Sequence, residues 1–156
     1  RAAPALDAIY VPIGLGSGIC GVIMARDLLG LTTEVIGVQS TAANAYALSL
    51  AAGRIVPTNS ADTRADGIAT RTPNADAFEI IRHGAARVVE VSDDEVAEAI
   101  RILWTDTHTL AEGAGAAALA ALMQERERMQ GRHIGVIVSG GNIDLALFRS
   151  WVLGAG

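Results

Sequence analysis

The sequence contains no lysine. All 12 basic residues among its 156 positions are arginine, so chemistry that needs a lysine amine, including Schiff-base formation, cannot be completed by this chain alone. There is one cysteine, Cys20, which excludes an internal disulfide and favours a reducing, cytoplasmic compartment. Because Cys20 lies among apolar residues, we predict a buried, unreactive thiol.

Positive charge and long hydrophobic runs are also scarce. The formal net charge of −5 offers no basic face, so nucleic-acid binding is not expected. No apolar run approaches the roughly 18 residues that cross a membrane, so no membrane span is expected either. The three histidines (His83, His108 and His133) lack the spacing of metal ligands, and structural roles are predicted for them. The composition predicts a soluble globular domain.

A cluster of small residues follows the first apolar run. Ala8–Ile13 is short and rich in β-branched residues, which predicts a strand, and apolar residues return at helical spacing over Ile19–Leu29. Between the two lie Gly14, Leu15, Gly16, Ser17 and Gly18. A strand, a glycine turn and a helix form a typical phosphate-binding arrangement, since close backbone amides and the helix dipole attract anions. The alternative is a tight turn that only packs the helix against a sheet.

The rest of the chain predicts alternating strands and helices. The further strands are expected at Thr33–Val38, Arg87–Val91 and His133–Val138, and the helices at Ala42–Ala52, Ala75–His83, Asp93–Thr107, about Gly115–Met129 and a short stretch after Asn142. We therefore expect an α/β fold with a mostly parallel open sheet flanked by helices. Ser92 and Glu95 form a capping-box pattern, and the long loop over Arg54–Asn74 is expected to be functional.

Two expectations concern the alanine-rich helix that starts near Gly115. Its small side chains permit close packing, so we expect it to lie centrally in the fold. The charged residues towards its end, including Glu125 and Glu127, are interpreted as a solvated surface.

Residues 16–21 also match the pattern G-x-G-x-x-G of dinucleotide-binding proteins. That function needs an acidic residue at the end of the second strand, to bind the ribose hydroxyls. Gln39 lies there instead. An NAD-binding domain is therefore an alternative rather than the favoured interpretation.

A second unusual turn, residues 139–142 (Ser-Gly-Gly-Asn), follows the last predicted strand. In a parallel sheet it would open at the same carboxyl edge as the first glycine loop, where ligands of α/β proteins bind. An ordinary glycine turn is the alternative. Two such turns at one edge favour the ligand site.

Four segments of the chain carry distinctive motifs, in this order: residues 11–21, 65–69, 112–116 and 139–143. Together they resemble the carboxyl-terminal half of the threonine dehydratase and serine racemase family. These are pyridoxal-phosphate enzymes with the tryptophan synthase β-subunit fold. The resemblance covers essentially the whole chain.

The resemblance implies a role for each matched residue. The loop Gly14, Leu15, Gly16, Ser17 and Gly18 would cradle the cofactor phosphate, although Leu15 and Ser17 depart from the family's nearly all-glycine loop. Ser139 would meet the pyridine nitrogen with its hydroxyl, Gly67 would approach the cofactor, and Glu112 would lie beside its ring.

The implied activity is dehydration of a small β-hydroxy amino acid, such as threonine or serine, to a 2-oxo acid and ammonia. A racemase and a dehydratase for a less common hydroxylated amino acid remain open. A domain without catalytic activity that only binds another protein is a further alternative.

The same resemblance implies that other parts of the enzyme lie outside residues 1–156. The Schiff-base lysine, the substrate-gripping loop and the small domain would belong to an amino-terminal half, so this chain is expected to be inactive alone and to pair with that half in a dimeric parent. Residues 1–7 look like the end of a helix and its following loop. Some relatives bind a divalent cation near the positions of Gln39 and Ala45; neither residue is acidic, so no metal is expected.

Overall fold

A computed structural model describes residues 5–154, and the expectation for residues 1–4 lies outside this range. Its four strands are β1 (Ala8–Pro12), β2 (Glu34–Ser40), β3 (Arg87–Val91) and β4 (Ile134–Val136). They form one parallel sheet in the order β3-β2-β1-β4. The predicted α/β class with a parallel sheet is confirmed.

Within the described range, six α-helices connect and flank these strands. They are α1 (Ser17–Leu28), α2 (Ala45–Ala52), α3 (Ala75–Gly84), α4 (Asp93–Thr107), α5 (Gly113–Gln124) and α6 (Leu145–Phe148). A short 3-10 turn, Asp66–Ile68, interrupts the long loop, and a π-helical turn, Arg149–Leu153, follows α6. The predicted capping box at the start of α4 is present, with Ser92 and Glu95 each bonding the other's backbone amide.

The two faces of the sheet are buried in two separate hydrophobic clusters. Successive strand residues point to opposite faces, so Tyr10 and Ile36 join the cluster formed with α4 and α5. Val11 and Val35 join the cluster formed with α1 and α3, which also buries the Cys20 thiol as predicted. Coverage on both faces explains why these strands read as continuous apolar runs.

Helix α5 lies at the centre of the fold, as predicted. Its alanines from Ala116 to Ala118, with Ala120 and Ala121, are almost completely buried, and the helix contacts β1, β2 and β3 as well as α4. Small side chains let the helix axis approach the sheet closely. The helix ends at Gln124, however, and the prediction that it continues to about Met129 is wrong.

Directly after the end of α5, Glu125 turns inward instead of lying on a solvated surface. Its carboxylate accepts hydrogen bonds from Arg87 Nε at 2.9 Å, from Arg87 Nη2 at 2.6 Å and from the Tyr10 hydroxyl at 2.5 Å. Its side chain is only 16% exposed. The interpretation of Glu125 as a surface charge is therefore wrong, while Glu127 is exposed as expected.

This cluster shifts the titration of its members. Burial acts to raise the pKa of Glu125, but hydrogen bonds from Arg87 and Tyr10 outweigh it and hold that pKa below the usual 4.5. Burial and the nearby Glu125 raise the pKa of the Tyr10 phenol. The ion pair thus fixes the end of α5 to β1 and β3.

No helix within residues 5–154 combines the length and the apolar character that a membrane crossing requires.

We predict that Glu125→Gln lowers the free energy of unfolding by about 2 kcal/mol at pH 7, because Arg87 loses its charged partner. The folded-state pKa of Glu125 lies below its unfolded value. The contribution is therefore present above pH 4.5 and is lost as the pH falls through the lower folded-state pKa. Urea unfolding measured at several pH values tests this.

The matched control is Glu127→Gln, at an exposed position close by, which should change stability by less than about 0.5 kcal/mol. Equal effects of the two substitutions at neutral pH would contradict the structural role of the Glu125 ion pair.

Candidate functional site

The glycine loop links the carboxyl end of β1 to the start of α1. Gly16 has φ of 104°, a left-handed conformation that favours glycine, and its carbonyl accepts the first helical hydrogen bond from Cys20 N–H at 3.0 Å. The loop therefore ends in a helix start without a capping side chain and without an acidic residue in the first turn.

The amides of this loop are available to a ligand. Within residues 5–154, the N–H groups of residues 14–18 donate to no protein acceptor. Ser17 and Gly18 are exposed, as is the Leu15 side chain at 71%. Free amides at the positive end of a helix dipole attract an anion.

The inner side of the loop is enclosed by α2 and α3. A Cβ added to Gly16 would lie 2.7 Å from Ala77 Cβ and 2.9 Å from the Tyr46 hydroxyl oxygen. That hydroxyl donates to the Leu15 carbonyl at 2.7 Å. The loop is therefore held against α2 and α3 by Tyr46 and Ala77.

The other sequence motifs meet beside this loop. A Cβ on Gly14 would clash with the Gly67 carbonyl, and a Cβ on Gly67 would lie 2.8 Å from Ala114 Cβ at the start of α5. A Cβ on Gly140 would clash with the Glu112 carboxylate, while Glu112 N–H donates to the Gly140 carbonyl at 3.1 Å. The loops after β1 and β4 thus share one edge of the sheet, as predicted.

These contacts leave a cleft of about 370 Å³ at the same edge. Gly67 and Glu112 line it, together with the turn after β4. The full lining consists of Arg64, Asp66, Gly67, Glu112, Gly113, Ala114, Asn142, Ile143, Asp144 and Leu147. A volume of this size suits a small ligand.

Ser139 opens the turn after β4 and is exposed. Among the described residues its hydroxyl has no hydrogen-bond partner, and the next residue, Gly140, is the one that touches Glu112. The structure thus packs Gly14 against Gly67, and Gly67 and Glu112 line one cleft. Ser139 lies next to these residues, since it directly precedes Gly140, whose carbonyl accepts from Glu112 N–H.

Two supporting residues were missed by the sequence analysis. Tyr46 is completely buried in the alanine-rich α2, where it reads as one apolar position among many. Asn74 caps α3 by accepting from Ala77 N–H at 3.0 Å, and its own N–H donates to the Tyr46 hydroxyl at 3.2 Å. An asparagine just before a helical pattern is a recognisable cap signal, but the pairing with Tyr46 needs the fold.

Gln39 is the penultimate residue of β2, near the position where a dinucleotide site needs an acid. Its side chain is completely buried, and its carbonyl oxygen accepts from Ala47 N–H at 2.9 Å. It serves to hold α2 against the sheet. Nothing in its position favours NAD binding, and the expectation of no metal beside it stays a prediction.

These features define an α/β domain with a glycine loop of unpaired amides, among residues 5–154, at the carboxyl edge of a parallel sheet. The sequence profile of the family described as pyridoxal-phosphate dependent enzyme matches residues 1–140 of this chain. The chain belongs to this family.

Proteins similar in sequence and in structure agree with that assignment. An L-threonine ammonia-lyase of Geobacter sulfurreducens is 41% identical over 143 residues, which are 91% of this chain and 35% of the relative. A processed threonine deaminase isoform of Solanum lycopersicum matches with a TM-score of 0.91 at 28% identity, covering 100% of this chain and 46% of that one. Maize serine racemase matches with a TM-score of 0.86 at 30% identity, covering 95% and 46%. The chain therefore spans less than half the length of these relatives.

We predict that Gly16→Ala destabilises the fold by about 3 kcal/mol. The new methyl group must adopt a left-handed backbone conformation and enters the space of Ala77 and Tyr46. Chemical unfolding monitored by circular dichroism measures the loss.

Gly21→Ala is the matched control, since it lies in α1 with no atom within 4 Å of its Cβ position. It should stabilise the protein by about 0.5–1 kcal/mol, because alanine favours a helix interior. If Gly16→Ala were as stable as Gly21→Ala, the described loop conformation would be wrong.

Proposed function

We propose that this chain is the carboxyl-terminal half of a pyridoxal-phosphate dependent ammonia-lyase. The parent enzyme would eliminate water from a small β-hydroxy amino acid, such as threonine or serine, to give a 2-oxo acid and ammonia. The observation that carries the proposal is the meeting of the free-amide glycine loop with Glu112 and the turn of Ser139 at one sheet edge.

The residues present fit pyridoxal phosphate. The unpaired amides of residues 14–18 match the needs of a phosphate dianion, and the Ser17 hydroxyl lies exposed at the helix start to add a donor. Beside them, Gly67 and Gly140 carry no side chains that would clash with Ala114 and Glu112, so the chain packs closely around the space proposed for the ring. When bound, the cofactor serves as the electron sink for the substrate's α-carbon.

Ser139 supplies the contact proposed for the pyridine nitrogen. A hydroxyl is neutral and donates a hydrogen bond to an unprotonated nitrogen, whereas a carboxylate would favour its protonated form. The weaker electron withdrawal that results suits β-elimination, in which the leaving group removes charge quickly. Gly67 and Glu112 would flank the cofactor, with Glu112 held by Gly140.

This chain would hold and orient the cofactor but would not complete the reaction. With no lysine in its sequence, it cannot provide the amine that anchors the cofactor and moves protons, so we propose that it is inactive alone. An amino-terminal half, a second copy of the parent and a cytoplasmic setting belong to the same proposal. They are supported by the family resemblance and, for the compartment, by the single buried thiol.

A racemase is the second candidate, supported by the likeness to maize serine racemase. The two reactions share the cofactor site and differ in what happens to the substrate. Incubation of the intact gene product with L-serine or L-threonine distinguishes them. Release of 2-oxo acid and ammonia supports the lyase, and appearance of the D-enantiomer without loss of amino acid supports the racemase.

The cofactor is tested by the absorption spectrum of the intact gene product before and after borohydride. We expect a visible band that reduction abolishes, with the cofactor fixed to a lysine outside residues 1–156. A protein that stays colourless after addition of pyridoxal phosphate would contradict the proposal, and nicotinamide nucleotides would then be tested as ligands.

We predict that Ser139→Ala in the intact gene product lowers kcat by about 10- to 100-fold, since a hydrogen bond to the reacting system is lost. Steady-state assays of 2-oxo acid formation measure this. Ser150→Ala, at an exposed serine beyond α6, is the control and should keep full activity. Unchanged kcat in the Ser139 variant would exclude its proposed role.

A further inference from the structure

We infer that Tyr46 is a positioning residue for the phosphate-binding loop: its buried hydroxyl fixes the peptide between Leu15 and Gly16 with the amide facing the anion. This inference rests on the proposed function, because it assigns to Tyr46 a part in holding the phosphate. Tyr46 itself touches neither substrate nor cofactor in this account.

The hydroxyl of Tyr46 has a defined hydrogen-bond direction. Tyr46 is completely buried, and its oxygen accepts from Asn74 N–H at 3.2 Å. A phenol has one proton to donate, and that proton goes to the Leu15 carbonyl at 2.7 Å. Burial raises the pKa of Tyr46, so the phenol stays protonated and remains a donor at neutral pH.

This bond fixes the orientation of a whole peptide group. The peptide between Leu15 and Gly16 is planar and trans, so its C=O and N–H point in opposite directions. With the Leu15 carbonyl directed inward to Tyr46, the Gly16 N–H is directed away from α2 and α3. Gly16 itself is buried, and its N–H has no acceptor among residues 5–154.

The next peptide is fixed by the helix. The Gly16 carbonyl accepts from Cys20 N–H at 3.0 Å, so the Ser17 N–H points back out of the start of α1 by the same planarity. Gly16 itself offers little resistance to rotation, because glycine accepts both signs of φ. The bond from Tyr46 is therefore the interaction that stops the Leu15–Gly16 peptide from turning over.

Tyr46 also connects the loop to α3. Asn74 donates to its oxygen and caps α3 through Ala77, while a Cβ on Gly16 would touch both Tyr46 and Ala77. One hydroxyl thus links the loop, α2 and α3. The loop amides are held in place before the anion arrives, which reduces the cost of ordering them on binding.

The test is Tyr46→Phe in the intact gene product, prepared without cofactor. The change keeps the ring and removes only the hydroxyl. We expect the Kd for pyridoxal phosphate to rise by about three- to tenfold, the usual range for one hydrogen bond. The Kd for pyridoxal, which lacks the phosphate, should not change. Binding is followed by absorbance, so activity is not needed.

Tyr10→Phe is the matched control, since it removes another completely buried hydroxyl, bonded to Glu125 at 2.5 Å in the opposite cluster. It should lower stability without changing the affinity for either ligand. Equal weakening of pyridoxal and pyridoxal phosphate by Tyr46→Phe would show a general packing effect and overturn the inference. So would unchanged binding of both ligands.

Binding of pyridoxal phosphate by the unsubstituted protein distinguishes a failure of this inference from a failure of the proposed function. If the unsubstituted protein does not bind pyridoxal phosphate, the proposed function fails and the inference fails with it. If it binds and Tyr46→Phe binds equally well, the proposed function stands and only the assignment to Tyr46 is wrong.

Discussion

The close packing of α5 against the sheet is the constraint on which the rest of the structure depends. Its buried alanines let the helix contact all four strands. The helix starts at the carboxyl edge of the sheet, where Glu112 meets Gly140. It ends at the opposite edge, where Glu125 is bound by Arg87 and Tyr10. This one helix therefore sets the position of the site. The helix is itself fixed by an ion pair at its other end, far from the site.

The site depends on backbone rather than on charged side chains. The glycine loop presents amides because the Leu15 carbonyl and the Gly16 carbonyl are already bonded inward, to Tyr46 and to Cys20. Gly67 and Glu112 line the cleft, and Gly140 has no side chain that would displace the Glu112 carboxylate. This arrangement suits a ligand with a phosphate and a flat ring, and the family to which the chain belongs takes its name from such a cofactor.

Much of the fold was predictable because its signals are local. β1, β3, α3 and the capping box of α4 follow from apolar periodicity and cap residues within a few positions. The glycine motifs and their common edge followed from the rule that parallel strands share a carboxyl end. Predicting these features requires no knowledge of contacts between residues that are distant in the sequence.

The errors lie where a distant partner decides the outcome. Glu125 lies among charged residues and is predicted to be on the surface, but its carboxylate bonds Arg87 and Tyr10 in the interior. Tyr46 reads as an apolar position in a helix, although its hydroxyl supports the glycine loop. Neither pairing has a sequence pattern, because each partner lies in a different element of the fold.

The central claim is that the loop after β1 binds the phosphate of the cofactor, with Ser139 at the ring. A crystal structure of the intact gene product grown with pyridoxal phosphate tests it most directly. The account predicts phosphate oxygens within hydrogen-bond distance of the amides of residues 14–18, and the pyridine nitrogen beside the Ser139 hydroxyl. A cofactor bound elsewhere, with those amides bonded to water or protein, would contradict it.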